Sequence, residues 1–358
     1  MLAQQDSTPH TLNDWSAAAI FRYGHIIRHT PKIKPDITHL TYSGEIDFEK
    51  QTSGKKLWQQ YWHYPVLGMG LLYTYYGNPV QLGNSVALFP YLTIHLVTSK
   101  IIDWRFTIAD GICIMTKPYN VITNPTNNMI GTRLDDITRF STSLQFKPNQ
   151  HYAFGIGGSF THFSNGAVAF PNLGINVPTI DLTARYTFSS AQRINTPKTE
   201  RPGINKRLQL EFKLGVGWEQ NNPPGGPNER VYLATFSAGR YISHINRLCA
   251  GIETGYSTDI YNYIKLQEIL PVTFARACRA SVFISDEFIF GRIGLLIHYG
   301  YYIYYPVLQP AQANEKLGLH YYFLNYSRKQ SDRFFVGIYL SAYQISAEFV
   351  ETAIGVDF

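Results

Sequence analysis

Two residues in the segment His151 to Asn165 could do chemistry together, His162 and Ser164. The even positions of the segment are Tyr152, Phe154, Ile156, Gly158, Phe160, His162 and Ser164, and the odd ones are Ala153, Gly155, Gly157, Ser159, Thr161 and Phe163. On a β-strand, residues two apart share a face with their Cβ atoms ~7 Å apart. That is close enough for an imidazole nitrogen to turn onto a hydroxyl, as a general base must to activate a serine. A polar pair on an otherwise apolar face is costly if that face meets lipid, so it calls for a reason. The plainer reading stays open: the pair could mark the interface where a strand leaves a membrane.

The pair must be positioned by strands, because helical periodicity is nearly absent. From Ile20 to Phe358 the sequence reads as about sixteen segments of ~10 to 14 residues that alternate with period two between Gly, Pro, Asn and Lys clusters. In Leu208 to Trp218, Leu208, Leu210, Phe212, Leu214, Val216 and Trp218 alternate with Gln209, Glu211, Lys213, Gly215 and Gly217. In Pro178 to Phe188, Ile180, Leu182, Ala184, Tyr186 and Phe188 alternate with Thr179, Asp181, Thr183, Arg185 and Thr187. One face suits lipid and the other a polar lumen, and the composition agrees. Only 16% of residues are charged and 15% are aromatic, with 26 Tyr and 22 Phe, as the aromatic girdles of a transmembrane barrel require. No apolar run reaches the ~18 residues of a helical span, and the mean hydropathy of -0.15 fits alternating strands. The expected fold is all-β, an antiparallel transmembrane β-barrel of about sixteen strands, favoured over a sandwich whose strands would carry fewer Tyr. The last residue, Phe358, follows Ile354 and Val356 on an alternating strand, which is typical of bacterial outer-membrane barrels.

Four divisions follow. Residues 1-14 are a tail that shows neither a basic n-region nor an apolar h-region of a signal peptide. Residues 15-188 form the half that carries the pair, 189-206 a polar, Pro-containing linker, and 207-358 a second half. A faint repeat aligns Phe154 to Asn165 with Val336 to Ala347, through Gly155 with Gly337, Ile156 with Ile338, Ser159 with Ser341 and Ser164 with Ser346. One closed barrel is the preferred arrangement and two tandem eight-stranded barrels the alternative. With Lys147 to Gln150 as a short periplasmic turn, the strand bearing the pair is the seventh and runs upward, placing His162 near its outer end.

Other chemistries find little support. Cys113, Cys249 and Cys278 are far apart and read as packing residues, and no His cluster has metal-ligand spacing, so no metal is expected. Gly83 to Ala87 departs from the G-x-S-x-G elbow, and Gly155 to Gly158 lack dinucleotide spacing and a following helix. His63, His95, His151 and His298 read as interface or surface residues. The net charge of +6 is spread along the chain without a Lys/Arg block, which suits an acidic lipid surface at least as well as nucleic acid, and there is no nucleic-acid signature.

The run Thr161 to Phe188 resembles the active-site region of the outer-membrane lipid A 3-O-deacylases and the related acyloxyacyl-hydrolase-like barrels. It has His-x-Ser-Asn, a small-residue turn, Pro-Asn-x-Gly-Ile and a final alternating strand, in that order. A looser likeness extends over Tyr64 to Phe188. The resemblance implies a serine esterase that deacylates lipid A of lipopolysaccharide in the outer membrane of a Gram-negative bacterium, with no cofactor. It implies His162 as general base, Ser164 as nucleophile and Asn165 as an oxyanion donor, to which Gly166 and Ala167 would add backbone N–H groups.

The family's third member is a Glu twelve residues after the Ser, and here that position is Asn176. By parity Asn176 shares the outward face of Ile180 and can approach His162, whereas Asp181 points to the lumen. An Asn can orient a neutral imidazole but cannot stabilise an imidazolium by charge, so the departure implies a slower enzyme or one helped by another acid. In the second copy Gln344 matches His162 beside Ser346, so that copy should be inert. The alternative is a non-catalytic pore or structural barrel with a decayed site. Oligomeric state is not legible.

Overall fold

The structure is a computed structural model that describes residues 14-189, 203-204, 206-220, 224, 226-267, 271-307, 313-323, 333-343 and 346-358. Its first eight strands are β1 (Trp15–His25), β2 (Leu40–Gln51), β3 (Val66–Tyr75), β4 (Asn84–Thr98), β5 (Ile102–Met115), β6 (Leu134–Phe146), β7 (Tyr152–Ser164) and β8 (Ile175–Thr187). Eight more follow: β9 (Gln209–Gln220), β10 (Asn228–Tyr241), β11 (Asn246–Ser257), β12 (Cys278–Phe290), β13 (Ile293–Tyr304), β14 (Ala313–Tyr322), β15 (Arg333–Tyr343) and β16 (Ser346–Asp357). Helix α1 (Leu57–Tyr61) lies between β2 and β3, and α2 (Thr258–Gln267) between β11 and β12.

The strands close into two barrels, with β8 pairing back onto β1 and β16 onto β9. The arrangement is thus the two tandem eight-stranded barrels, and the preference for a single one gives way. A period of two says which face a residue takes but not which strand is its neighbour, so either closure satisfies the alternation. What selects the small barrels is the bulk of the inward residues, because eight strands leave an interior just wide enough for side chains to fill.

Strand β2 shows the pattern: Thr41, Ser43, Glu45, Asp47 and Glu49 are buried, while Tyr42, Ile46 and Phe48 are exposed. In the first lumen Glu45 bridges Arg22 at 3.1 Å and Arg139 at 2.5 Å, and Glu49 bridges Arg105 at 3.3 Å and Arg185 at 2.5 Å. In the second, Lys316 lies 2.7 Å from Glu253 and 2.6 Å from Glu351, and Arg247 lies 2.6 Å from Glu211 and 2.9 Å from Glu287 and Asp357. Pairing satisfies charges that would otherwise be prohibitive in a dry interior. The void among Arg22, Glu45, Glu49, Arg105 and Arg139 is only about 30 Å³, room for no more than a few water molecules.

At one end of the first barrel the lumen is apolar instead of polar. Tyr76, Leu82, Phe89, Met115, Met129 and Phe163 pack there into a cluster that closes the barrel mouth. The connections at this end, 26-39, 76-83, 116-133 and 165-174, are each longer than 99-101 and 147-151 at the other, where 52-65, which carries α1, is the one long connection. Longer loops mark the extracellular end of an outer-membrane barrel, and β7 finishes there as expected. Strands β7 and β15, which carry most of the two aligned segments, are each the seventh of their barrel.

Candidate active site

Strand β7 brings His162 and Ser164 to the extracellular rim, and the residue between them fixes which way they face. Phe163 is buried in the apolar cluster, with its ring meeting that of Tyr76 edge to face at 5.6 Å. A one-residue slip would expel this aromatic and turn the pair inward, so burial of Phe163 pins the register. The outward neighbours Phe154, Ile156 and Phe160 are exposed, whereas His162 is half-buried and Ser164 is only 3% exposed. The pair is therefore covered at the rim instead of lying bare on the wall.

Pairing of β7 with β8 sets His162 opposite Asn176, and the side chains meet, with Nδ1 of His162 2.6 Å from Oδ1 of Asn176. A carbonyl oxygen only accepts, so this bond places the proton on Nδ1 and leaves Nε2 with a lone pair. The amide of Asn176 is fixed in turn. Its Nδ2 donates to Nδ1 of His29 at 3.2 Å, and Nε2 of His29 donates to the Leu173 carbonyl at 3.0 Å. Gly174 gives the imidazole its space, since a Cβ there would lie 2.8 Å from Cε1 of His162, and its φ of +74° also favours glycine. Among the described residues no hydrogen bond joins His162 to Ser164; an unliganded catalytic pair commonly stands apart in this way.

The chain turns sharply after Ser164. Gly166 and Ala167 have φ of +64° and +66°, and Val168 N–H donates to the Asn165 carbonyl at 3.3 Å, closing a tight turn of the kind that needs positive φ at both central residues. The turn aims Gly166 N–H at Ser164 Oγ, 3.3 Å away. Asn165 is engaged differently from its expected role, because both hydrogens of its amide are used within the fold. Nδ2 donates to Thr132 Oγ1 at 3.1 Å and to the Ala169 carbonyl at 2.9 Å. Asn165 thus holds the loop, and the donor beside the serine is Gly166.

Sequence reasoning missed three groups near the pair. His29 lies 147 positions from Asn176, in a loop without motif. Asp136 is the cross-strand partner of Ser164, and Thr138, partner of His162, donates to Asp136 at 2.9 Å and to Asp110 at 3.0 Å. Only strand order shows that these carboxylates stand beside the pair. Asp181 points to the lumen as parity required, where it pairs with Arg22. Gln344 lies outside the described residues. Of the remaining histidines, His298 is buried against Phe283 in the second lumen instead of lying at an interface or surface, and half-buried His95 pairs with Asp103 at 2.7 Å. Cys113 and Cys249 are buried free thiols and Cys278 is half-buried.

The two halves match related family descriptions. Residues 43-187 match lipid A 3-O-deacylase (PagL), and residues 208-358 match the acyloxyacyl hydrolase C-terminal domain. The chain belongs to this deacylase family. The second match extends the likeness over the half where residue motifs had not carried it. As a member of the lipid A deacylase family the chain is an outer-membrane β-barrel protein of the Gram-negative type, in keeping with its inverted, apolar-outward strands. Among solved structures, the outer-membrane enzyme PagL is 15% identical over 46% of this chain and 97% of its own, with a TM-score of 0.36. OccAB4 of Acinetobacter baumannii is 7% identical over 96% of this chain and 97% of its own, with a TM-score of 0.25. No curated protein matches the chain.

Proposed function

We propose that the first barrel, residues 15-188, hydrolyses an acyl ester of lipid A with Ser164 as nucleophile. The carrying observation is the bond from His162 Nδ1 to Asn176 Oδ1, which leaves Nε2 of the imidazole as the proton acceptor. Ser164 Oγ adds to the ester carbonyl carbon as its proton passes to Nε2. Gly166 N–H, which donates to Ser164 Oγ at rest, passes to the ester carbonyl oxygen as that oxygen becomes negative, and Asn165 keeps the turn in shape. Collapse of the tetrahedral intermediate breaks the bond to the sugar oxygen, which takes the proton from His162 and leaves as an alcohol. Water, deprotonated by the same Nε2, then adds to the acyl carbon, and Ser164 Oγ leaves with that proton as the fatty acid is released. Every proton is returned, so no cofactor enters the cycle.

Asn176 orients the ring without charge, so the imidazolium that forms transiently is stabilised only at a distance, with Asp136 and Asp110 the nearby carboxylates on the same wall. The position of the pair at the extracellular rim supports a substrate of the outer leaflet, and family membership supports lipid A. Paired charges fill both lumens, which argues against the pore reading. A lipophilic fluorophosphonate should label Ser164 in the intact protein and fail to label the His162→Ala variant. Equal labelling of both, or labelling elsewhere, removes Ser164 as the activated nucleophile.

A further inference from the structure

The second barrel carries no counterpart of the His-Asn pair among its described residues, yet it touches the turn that follows Ser164. Gln220, the last residue of β9, donates from its backbone N–H to the Ala167 carbonyl at 3.3 Å and accepts at Oε1 from Phe170 N–H at 2.6 Å. Its own Nε2 donates to the Gly226 carbonyl at 2.9 Å, which fixes the side chain against the second barrel. Beside it, a Cβ on Gly166 would lie 2.5 Å from Val350 Cγ2 and 3.3 Å from Leu340 Cδ1, so β15 and β16 also press on the turn.

These contacts fall on a strained stretch. Ala167 adopts left-handed backbone that L-residues avoid, and such conformations persist only where the surroundings enforce them. A second junction at the opposite end keeps the barrels from pivoting. There Trp62 stacks on Phe290 at 4.4 Å and donates to the Ile289 carbonyl at 2.8 Å, while Trp58 packs on Gly291. The brace is thus anchored at both ends.

We infer that the second barrel is a positioning scaffold built into the chain, and that Gln220 holds the 165-170 turn so that Gly166 N–H stays aimed at Ser164 Oγ. The inference rests on the proposed hydrolase reading, and Gln220 acts through the turn without touching substrate. It explains why a second barrel whose lumen is sealed by ion pairs accompanies the first.

The test compares the full chain with Gln220→Ala and Gln220→Glu in detergent, with heat-modifiable gel mobility confirming that each is folded. Hydrogen exchange of Gly166 to Phe170 and kinetics on lipopolysaccharide are measured on each. Gln220→Ala should speed exchange in this stretch and lower kcat by about 10- to 100-fold, with KM within about twofold, because small misplacements near reacting atoms act on the transition state. Gln220→Glu keeps an acceptor for Phe170 N–H and should restore most of both. Unchanged exchange in Gln220→Ala overturns the brace, and so does faster exchange with unchanged kcat. If the parent protein releases no acyl chain at all, the hydrolase reading fails, and the exchange result alone decides whether Gln220 holds the turn.

Discussion

Asn176 and His29 hold the ring of His162 through neutral hydrogen bonds, without a carboxylate. The bond from Asn176 Oδ1 fixes the tautomer of His162, and His29 prevents the amide from turning its NH2 toward the ring. Removing His29 costs one hydrogen bond of about 1 kcal/mol, so His29→Ala should lower kcat about fivefold while leaving the fold intact. Asn176→Ala frees the ring altogether and should cost about 10²-fold, whereas Asn176→Glu adds the missing charge and should exceed the parent rate. Steady-state kinetics of the three variants check the order; an Asn176→Glu enzyme no faster than its parent shows that the missing charge does not limit the rate. Of these residues, strand parity and motif spacing revealed His162, Ser164 and Asn176. His29, Asp110 and Asp136 stayed hidden because the pairings that bring them near are long-range and leave no local periodicity.

At the scale of elements, β7 and its following turn carry the account. Phe163 sits between His162 and Ser164 and is buried to 1% exposure, so Phe163→Ala should destabilise the first barrel by about 3–5 kcal/mol and loosen the register at the rim. Urea unfolding in detergent, followed by tryptophan fluorescence, measures this loss. Gly166→Ala should fail for two reasons, the left-handed backbone and the collision with Val350, and should abolish labelling of Ser164 without unfolding either barrel. The strands were legible because alternation inverts so cleanly, as in β2, where Glu45 and Phe48 take opposite faces. The turn was legible only in part: small residues marked it, but nothing local indicated that Asn165 would spend its amide on Thr132 and Ala169.

For the whole molecule, the alternating pattern could not choose between one wide barrel and two narrow ones, since both place the same residues inside. The clue lay in side-chain size. Long inward residues such as Arg22, Arg105, Arg139 and Tyr91, matched by Glu45 and Glu49, fill a narrow lumen and would leave a sixteen-stranded one open to water. A filled lumen predicts no stepwise conductance when the protein is added to planar bilayers, and regular single-channel steps would restore the pore reading. It also predicts that Glu45→Gln, which deprives Arg22 and Arg139 of their shared carboxylate, lowers stability by about 3–5 kcal/mol in the same urea assay.

The central claim is that Ser164 removes an acyl chain from lipid A, and mass spectrometry of lipopolysaccharide tests it most directly. Incubation with the intact protein should shift lipid A down by the mass of one acyl chain and release the matching free fatty acid, while Ser164→Ala should leave lipid A unchanged. The same loss with both proteins, or no loss with either, contradicts the account.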